Sequence, residues 1–356
     1  MLAPRSLRVI LAGALTALAL AGCGSSESEE ASESADSTVS ASSGDSAADA
    51  AFPVTIEHAF GETTIEKLPE RVATVAWANH EVPLSLGIVP VGMTKVTWGD
   101  DDDNGVLPWV EDKLTELGAD TPALFDETDG IPFEQVADTK PDVILAAYSG
   151  LTQEDYDTLS KIAPVIAQPG VAWGTSMDDM IRMDSEALGL TTEGEELVAS
   201  LEEKIDATIA KYPALSGKKI LFTYLDPKDL SQVGFYTLHD TRPGFLAEHG
   251  FPMPAIVEEK SAETEEFYTT VSAENAEAFD DVDVFVTYGN PDGSSIVEAA
   301  QSDPLLSKIP AVAKGAIAVL PDSTPLSASA NPSPLSIDWA LDDYLALIDA
   351  AASKSQ

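Results

Sequence analysis

The sequence predicts an α/β protein of two lobes joined by a single long helix, with a ligand cleft between the lobes. Short apolar strands alternate with helical segments over residues 71–168, which is the pattern of parallel βαβ units. The pattern stops over residues 176–212, where no strand-like run occurs, and resumes at Lys218. In that interval apolar residues recur every four positions, as on one face of a long helix. They are Leu197, Leu201, Ile205 and Ile209.

The first lobe is predicted to begin with a β-hairpin whose turn contains Gly61. Four strands are then expected at 71–77, 89–93, 141–148 and 164–168. Short helices are expected at 79–86, with Asn79 as its cap, at 131–137 and at 152–162. Thr152 with Asp155 forms a capping-box pattern, and Thr192 with Glu195 forms a second one at the start of the long helix.

The second lobe repeats the alternation of strands and helices. Strands are predicted at 218–225, 268–271, 283–288 and 316–320, with helices near 243–249, from Ser272 onward and at 336–351. The predicted boundaries follow from these elements. They are an N-terminal lobe at 52–190, an interlobe helix at 191–212 and a C-terminal lobe at 213–356.

The N-terminus has the pattern of a lipoprotein signal. Arg5 and Arg8 precede the apolar run 9–21, which ends in Leu-Ala-Gly before Cys23, the only Cys of the chain. Residues 1–22 are therefore predicted to be a signal peptide, with Cys23 lipidated and anchoring the protein to the extracytoplasmic face of the cell membrane. Residues 24–51 contain ten Ser and seven acidic residues, so 23–51 is predicted to be a flexible, acidic tether.

Composition and charge exclude several classes of protein. One Cys in 356 residues excludes an internal disulfide and Cys-based zinc sites. A formal net charge of −42 disfavours binding to nucleic acid, whose phosphates are also negative. The sequence contains no nucleophile-elbow Gly-x-Ser-x-Gly, no phosphate-binding glycine loop and no His-Glu-x-x-His, so no enzyme is indicated.

Several segments resemble the substrate-binding lipoproteins of ABC importers for iron–siderophore complexes, heme and cobalamin. Leu86–Gly92 is similar to the family pattern LG-x-x-PVG, and Lys140-Pro-Asp-Val-Ile is similar to kPDlIi. Ile309–Pro321 is similar to l-PAVknGrvyvl, and Glu70-Arg-Val opens the first core strand. The resemblance covers residues 53–350. It implies the class III periplasmic-binding-protein fold, no catalysis, a monomer, a ferric siderophore as ligand and no other cofactor. Heme or cobalamin, or less favourably an envelope hydrolase, remain alternatives.

Aromatic residues at the predicted strand ends suggest where the ligand binds, because ligands of open α/β sheets lie beyond the carboxyl ends of the strands. Arg242 is the one clear cation among them, so a neutral hydroxamate complex is favoured over an anionic catecholate. The candidate ligand-binding residues are Trp77, Trp98, Tyr148, Trp173, Tyr224, Tyr236, Arg242 and Tyr288. For Trp77, Tyr148 and Tyr224 the structural alternative is packing at the lobe interface. For Arg242 it is a salt bridge to Asp240 or Glu248.

Two acidic residues match positions at which family members dock on the permease. Glu154 and Glu274 each fall in the first turn of a predicted helix, where acids are also favoured by the helix dipole. Residues 100–111 satisfy the EF-hand loop pattern, but Pro108 and the missing entering helix favour a solvated acidic loop. No metal site is predicted, because the four His residues are scattered.

Overall fold

Two five-stranded sheets and a two-stranded hairpin make up the β-structure of the part of the chain that the structure describes. A computed structural model of the chain describes residues 52–290 and 294–355. The predicted signal peptide at 1–22, Cys23 and the predicted tether at 23–51 lie outside these residues. All described residues belong to one compact unit of the chain.

The first sheet is parallel and is preceded by the hairpin of β1 (Val54–His58) and β2 (Gly61–Ile65). Its strands are β3 (Val72–Thr74), β4 (Gly92–Thr94), β5 (Ala123–Phe125), β6 (Val143–Ala146) and β7 (Val165–Ala167). They lie in the order β5-β4-β3-β6-β7. The intervening helices are α1 (Glu81–Ser85), α2 (Pro108–Leu117), α3 (Phe133–Asp138) and α4 (Gln153–Leu159). All four residues of β6 are buried, which explains their uninterrupted apolar sequence.

Two helices connect the sheets, α5 (Met177–Ala187) and α6 (Thr191–Ile209), and α6 is the long helix that the sequence predicts. The capping box at Thr152 and Asp155 is confirmed. The second capping box was wrong, because α6 begins at Thr191 with Leu190 as N-cap and no side-chain cap. Only three residues separate α5 from α6, so Thr192 already lies inside the first turn of α6. A residue with helical backbone cannot serve as the N-cap.

The second sheet combines a parallel part with an antiparallel edge. Its strands are β8 (Ile220–Asp226), β9 (Asp229–Tyr236), β10 (Tyr268–Ser272), β11 (Val284–Gly289) and β12 (Ile317–Pro321), in the order β10-β9-β8-β11-β12. β8, β11 and β12 are parallel, whereas β9 and β10 are antiparallel. The α-helices of this part are α7 (Thr241–Glu248), α8 (Ala255–Glu263), α9 (Ser294–Ser302), α10 (Pro310–Ala313), α11 (Pro325–Ser329) and α12 (Ser336–Ala352). Short 3₁₀ helices occur at Pro213–Leu215, Ala273–Phe279 and Leu306–Lys308.

After the second sheet the chain returns to the first lobe. The carboxylate of Glu81, which is 1% exposed, accepts hydrogen bonds from Trp109 Nε1 at 2.8 Å and from the backbone N–H of Leu335 at 2.9 Å. The rings of Trp109 and Trp339 lie 5.3 Å apart. Burial raises the pKa of Glu81 to about 7. The segment before α12 therefore completes the packing around α1 and α2.

Candidate ligand-binding site

A cavity of about 270 Å³ lies between the two lobes, on the side where the strands of the first sheet end. It is lined by Trp77, Trp98, Tyr148, Trp173, Asp240, Arg242, Phe267, Ala328 and Asn331. Five of these are residues that the sequence analysis selected: Trp77, Trp98, Tyr148, Trp173 and Arg242. The four from the first lobe follow β3, β4, β6 and β7. They converge because the carboxyl ends of parallel strands share one edge of a sheet.

Trp77 lies on a loop whose backbone is held in an unusual conformation. Its neighbours Ala76 and Ala78 have φ of +61° and +64°, in the left-handed region that L-residues avoid. Such residues cost of order 1–3 kcal/mol each, so the surrounding contacts must stabilise them. Asn79 supplies part of this support. It does not cap α1 as the sequence analysis expected, since its Nδ2 donates to Val75 O at 2.8 Å and to Tyr148 O at 2.9 Å.

Trp173 also has a left-handed backbone, with φ of +62°. Its N–H donates to Ser149 O at 2.8 Å, and its ring packs edge-on against Tyr148 with centroids 5.5 Å apart. Gly150 lies beneath the indole, where a Cβ atom would clash with the ring. A glycine is therefore required at position 150 for this placement of Trp173.

Tyr148 connects the lobes through a buried hydrogen-bond network. Asn331 Nδ2 donates to Tyr148 Oη at 3.0 Å, and Thr241 Oγ1 donates to Asn331 Oδ1 at 2.5 Å. Tyr148 Oη and Thr241 Oγ1 are themselves 3.3 Å apart. The phenol thus has protein partners on its hydroxyl while its ring faces the cavity.

Arg242 supplies the positive charge on the side of the cavity that faces the first-lobe aromatic residues. Its Nη1 donates to Asp240 Oδ2 at 2.8 Å, its Nε donates to Tyr288 Oη at 3.1 Å, and its guanidinium lies 4.6 Å from the ring centroid of Tyr236. Asp240 is 2% exposed and also caps α7 by accepting from the Arg242 N–H. Burial raises the pKa of Asp240, and Arg242 opposes that rise. Within the described residues, Arg242 Nη2 makes no hydrogen bond.

The other predicted aromatic residues occupy different positions. Tyr236 and Tyr288 lie behind Arg242 and contact it, and burial raises the pKa of Tyr288 to about 12. No strand was predicted between residues 225 and 268, so Tyr236 was expected to lie in a loop. This was wrong, because Tyr236 ends β9 and pairs with Tyr268 of β10. Tyr224 is 52% exposed on β8 and is not part of the cavity lining.

Four lining residues were not among the predicted ligand-binding residues. Asp240 had a signal in the sequence, because an acid two residues before Arg242 is a natural ion-pair partner for it. Phe267 precedes the edge strand β10. Ala328 and Asn331 lie in or just after α11, in a Ser- and Ala-rich stretch that carries no functional pattern.

The two predicted docking acids lie far from each other in sequence and on different lobes. Glu154 is exposed in the first turn of α4, where Asp155 and not Glu154 forms the capping box. Glu274 is exposed at the start of the 3₁₀ helix that follows β10. Among the described residues, neither carboxylate has an ion-pair or hydrogen-bond partner.

The acidic loop that matches the EF-hand pattern is also described. Carboxylate oxygens of Asp100, Asp101 and Asp102 lie within 4.8 Å of one another, and Asn104 and Gly105 make the turn. The expectation that this loop holds no metal stays a prediction. In the described part of the chain, no helix is both long and apolar enough to cross a membrane.

Comparison with known proteins identifies the family. A family model described as periplasmic binding protein matches residues 72–324. The structure of PiaA from Streptococcus pneumoniae in complex with ferrichrome is 47% identical, with a TM-score of 0.80, covering 85% of this chain and all of that one. A periplasmic solute-binding protein from Mycobacterium smegmatis is 27% identical with a TM-score of 0.66, covering 84% of this chain and 98% of that one.

A third relative was found by sequence alone. "Probable siderophore-binding lipoprotein YfiY" of Bacillus subtilis is 26% identical over 280 residues, which are 77% of this chain and 75% of that protein. The predicted fold class, two α/β lobes of the class III type, is confirmed by the sheets described above and by these structural relatives. The chain belongs to the periplasmic binding protein family.

Proposed function

We propose that this protein is the solute-binding component of an ABC importer and binds a ferric siderophore between its lobes. The supporting observation is the cavity with Trp77, Trp98 and Trp173 on one wall and Arg242 on the other. Aromatic faces suit a large and partly apolar chelate, and Arg242 Nη2 is available to an oxygen near the metal. PiaA, which is 47% identical, was crystallised with ferrichrome.

The charge of the cavity favours a hydroxamate complex. The lining contains one cation, Arg242, and one anion, Asp240, which form an ion pair at 2.8 Å. A triply charged catecholate complex would enter a cavity without net positive charge in a protein of formal charge −42. A neutral ferric trihydroxamate avoids that repulsion, so we favour this class.

The geometry gives less support to the alternatives. Heme usually needs an axial ligand, but His80 is 3% exposed and outside the lining, and Tyr288 Oη already accepts a hydrogen bond from Arg242. A hydrolase needs an available carboxylate or nucleophile at the site. The one carboxylate in the lining, Asp240, is paired with Arg242, so binding without catalysis is the better interpretation.

Tryptophan fluorescence tests this proposal. The purified chain is titrated with ferrichrome as its Fe(III) and Ga(III) complexes, with iron-free ferrichrome, with a ferric catecholate, with heme and with cobalamin. We expect saturable quenching by the metal-loaded hydroxamates at micromolar or lower concentration. Trp339→Phe, at an exposed Trp outside the cavity, should leave the fitted affinity unchanged, whereas Trp173→Phe should alter both signal and affinity. Saturation by heme or cobalamin alone would replace the proposed ligand.

Delivery to a permease is the second part of the proposal. Glu154 and Glu274 are exposed, unpaired within the described residues and on separate lobes, as docking contacts require. Cells carrying Glu154→Ala with Glu274→Ala should lose uptake of the ferric ligand, while the purified variant binds it as wild type does. Glu193→Ala, at an exposed acid in α6, is the matched control. Unchanged uptake in the double variant would remove these residues from the interface.

Anchoring is the third part. We propose that a lipid on Cys23 anchors the protein at the extracytoplasmic face of the cell membrane. The lipoprotein signal pattern before Cys23 and the lipoprotein name of the Bacillus subtilis relative support this. The Cys23→Ser variant should move from the membrane fraction to the soluble or secreted fraction. Retention of that variant in the membrane fraction would contradict a lipid anchor at Cys23.

A further inference from the structure

Glu127 lies behind the cavity wall and contacts the strained loop that carries Trp77. It follows β5 by two residues, and both of its carboxylate oxygens accept from the Ala76 N–H, at 3.2 and 3.1 Å. Strand β3 ends at Thr74, so the N–H of Ala76 has no partner in the sheet. The Glu127 side chain therefore takes the place of a strand partner for a residue with left-handed φ.

Thr94, at the end of β4, contacts the other main-chain polar group of Ala76, its carbonyl oxygen. Its Oγ1 lies 2.7 Å from Ala76 O and 2.8 Å from Glu127 Oε1. A hydroxyl group has one proton and can donate to only one of these oxygens. Both contacts are hydrogen bonds when Thr94 donates to Ala76 O and a protonated Glu127 donates to Thr94 Oγ1. Burial raises the pKa of Glu127, in the direction that this arrangement needs.

We infer that Glu127, with Thr94, is a positioning residue of the ligand site: it holds Ala76 in the left-handed conformation that presents Trp77 to the cavity. Glu127 is absent from the residues lining the cavity, so its effect on binding must pass through the loop. The effect on ligand affinity rests on the proposed function. The effect on Trp77 itself does not, because the conformation of the loop is a property of the free protein.

The test compares Glu127→Ala, Glu127→Gln and Thr94→Val. Glutamine supplies an oxygen to the Ala76 N–H and an amide N–H to Thr94 Oγ1, so Glu127→Gln should bind ferrichrome within about twofold of wild type. Glu127→Ala leaves the Ala76 N–H without its acceptor and should weaken binding about tenfold. Thr94→Val should weaken it in the same direction. Asp129→Ala, at an exposed acid in the same loop, should have no effect.

A double-mutant cycle separates positioning from general destabilisation. In a Trp77→Ala background, Glu127→Ala should change the affinity by less than about twofold, because the residue through which it acts is already absent. Full additivity of the two substitutions would overturn the inference, and so would wild-type affinity in Glu127→Ala.

A ligand-free measurement keeps the inference testable if ferrichrome does not bind. The difference in acrylamide quenching between wild type and Trp77→Phe reports the solvent exposure of Trp77. Each variant is therefore compared with the same variant carrying Trp77→Phe. In Glu127→Ala and in Thr94→Val this comparison should show a more accessible Trp77, whereas in Glu127→Gln the accessibility of Trp77 should be close to that in wild type. Equal accessibility of Trp77 in all these proteins would overturn the inference. Failure of wild type to bind any ferric hydroxamate would instead refute the proposed function alone.

Discussion

On the first-lobe side of the cavity, Trp77 and Trp173 are carried by loops with left-handed backbone, whereas on the other side Arg242 extends from the regular helix α7. The tryptophans are positioned by hydrogen bonds to main-chain groups and by close packing on Gly150. Arg242 is positioned by side chains, through an ion pair with Asp240 and a hydrogen bond to Tyr288. One wall is therefore sensitive to backbone conformation and the other to charge.

The largest expected effect on stability is at the cavity wall that contains Arg242 and Asp240. Asp240→Ala removes the partner of a largely buried guanidinium and the cap of α7, and it should lower the free energy of unfolding by about 3–5 kcal/mol. Denaturation by urea measures this loss. Asp338→Ala breaks the exposed ion pair with Lys204 and should cost below about 1 kcal/mol. Equal losses in the two variants would mean that burial of the pair at Arg242 has no energetic consequence.

A second prediction contrasts Asp240 with Glu81, whose carboxylate has only neutral partners. The pKa of Glu81 rises from 4.5 to about 7 on folding. Its contribution to stability is therefore complete below pH 4.5 and is lost as the pH rises through 7. Between pH 4 and pH 8 the loss should be on the order of 3 kcal/mol.

Urea denaturation of wild type and Glu81→Gln at several pH values checks this prediction. Because glutamine does not ionise, the unfolding free energy of wild type relative to Glu81→Gln should fall as the pH rises from 4 to 8. Glu134→Gln, at an exposed glutamate of α3, should show no such trend. A difference between wild type and Glu81→Gln that is constant with pH would contradict a raised pKa.

An intermediate effect is expected on the first-lobe wall of the cavity, which carries Trp77 and Trp173. Gly150→Ala places a Cβ atom against the indole of Trp173, and overpacking of this kind costs about 1–3 kcal/mol. The displaced ring should also reduce the affinity for ferrichrome, measured by titration. Gly170→Ala is the control, since a Cβ atom there meets no atom within 4 Å. Wild-type stability and affinity in Gly150→Ala would show that Trp173 moves without cost.

The smallest expected effect has the opposite sign. Ala76→Gly relieves the left-handed strain and should raise the free energy of unfolding by up to about 1 kcal/mol, partly offset by the greater entropy of the unfolded chain. The same substitution at Ala137, an exposed position of α3, should lower it by about 0.5–1 kcal/mol. Thermal unfolding of the two variants measures both changes. A loss at both positions would mean that Ala76 is not strained.

The sequence predicts the two lobes, the long helix and most of the parallel strands because their apolar residues follow regular periods. It does not predict β9, whose residues Asp229–Tyr236 include Ser, Gln and Gly and lack a clear alternation. Missing that strand misplaced Tyr236. Trp77 and Trp173 are found by their place after strands, but Glu127 and Asn331 are not, because their contacts join residues 51 and 183 positions apart in the chain.

The burial of Glu81 against Leu335 has a consequence for the order of folding during synthesis. The first lobe is made early, but one acceptor oxygen of Glu81 receives its donor only from a residue near the end of the chain. Until that residue has been made, the carboxylate must stay hydrated and the groove between α1 and α2 stays open to water. Every truncation before Leu335 should therefore leave the first lobe without one of the donors that its buried Glu81 needs.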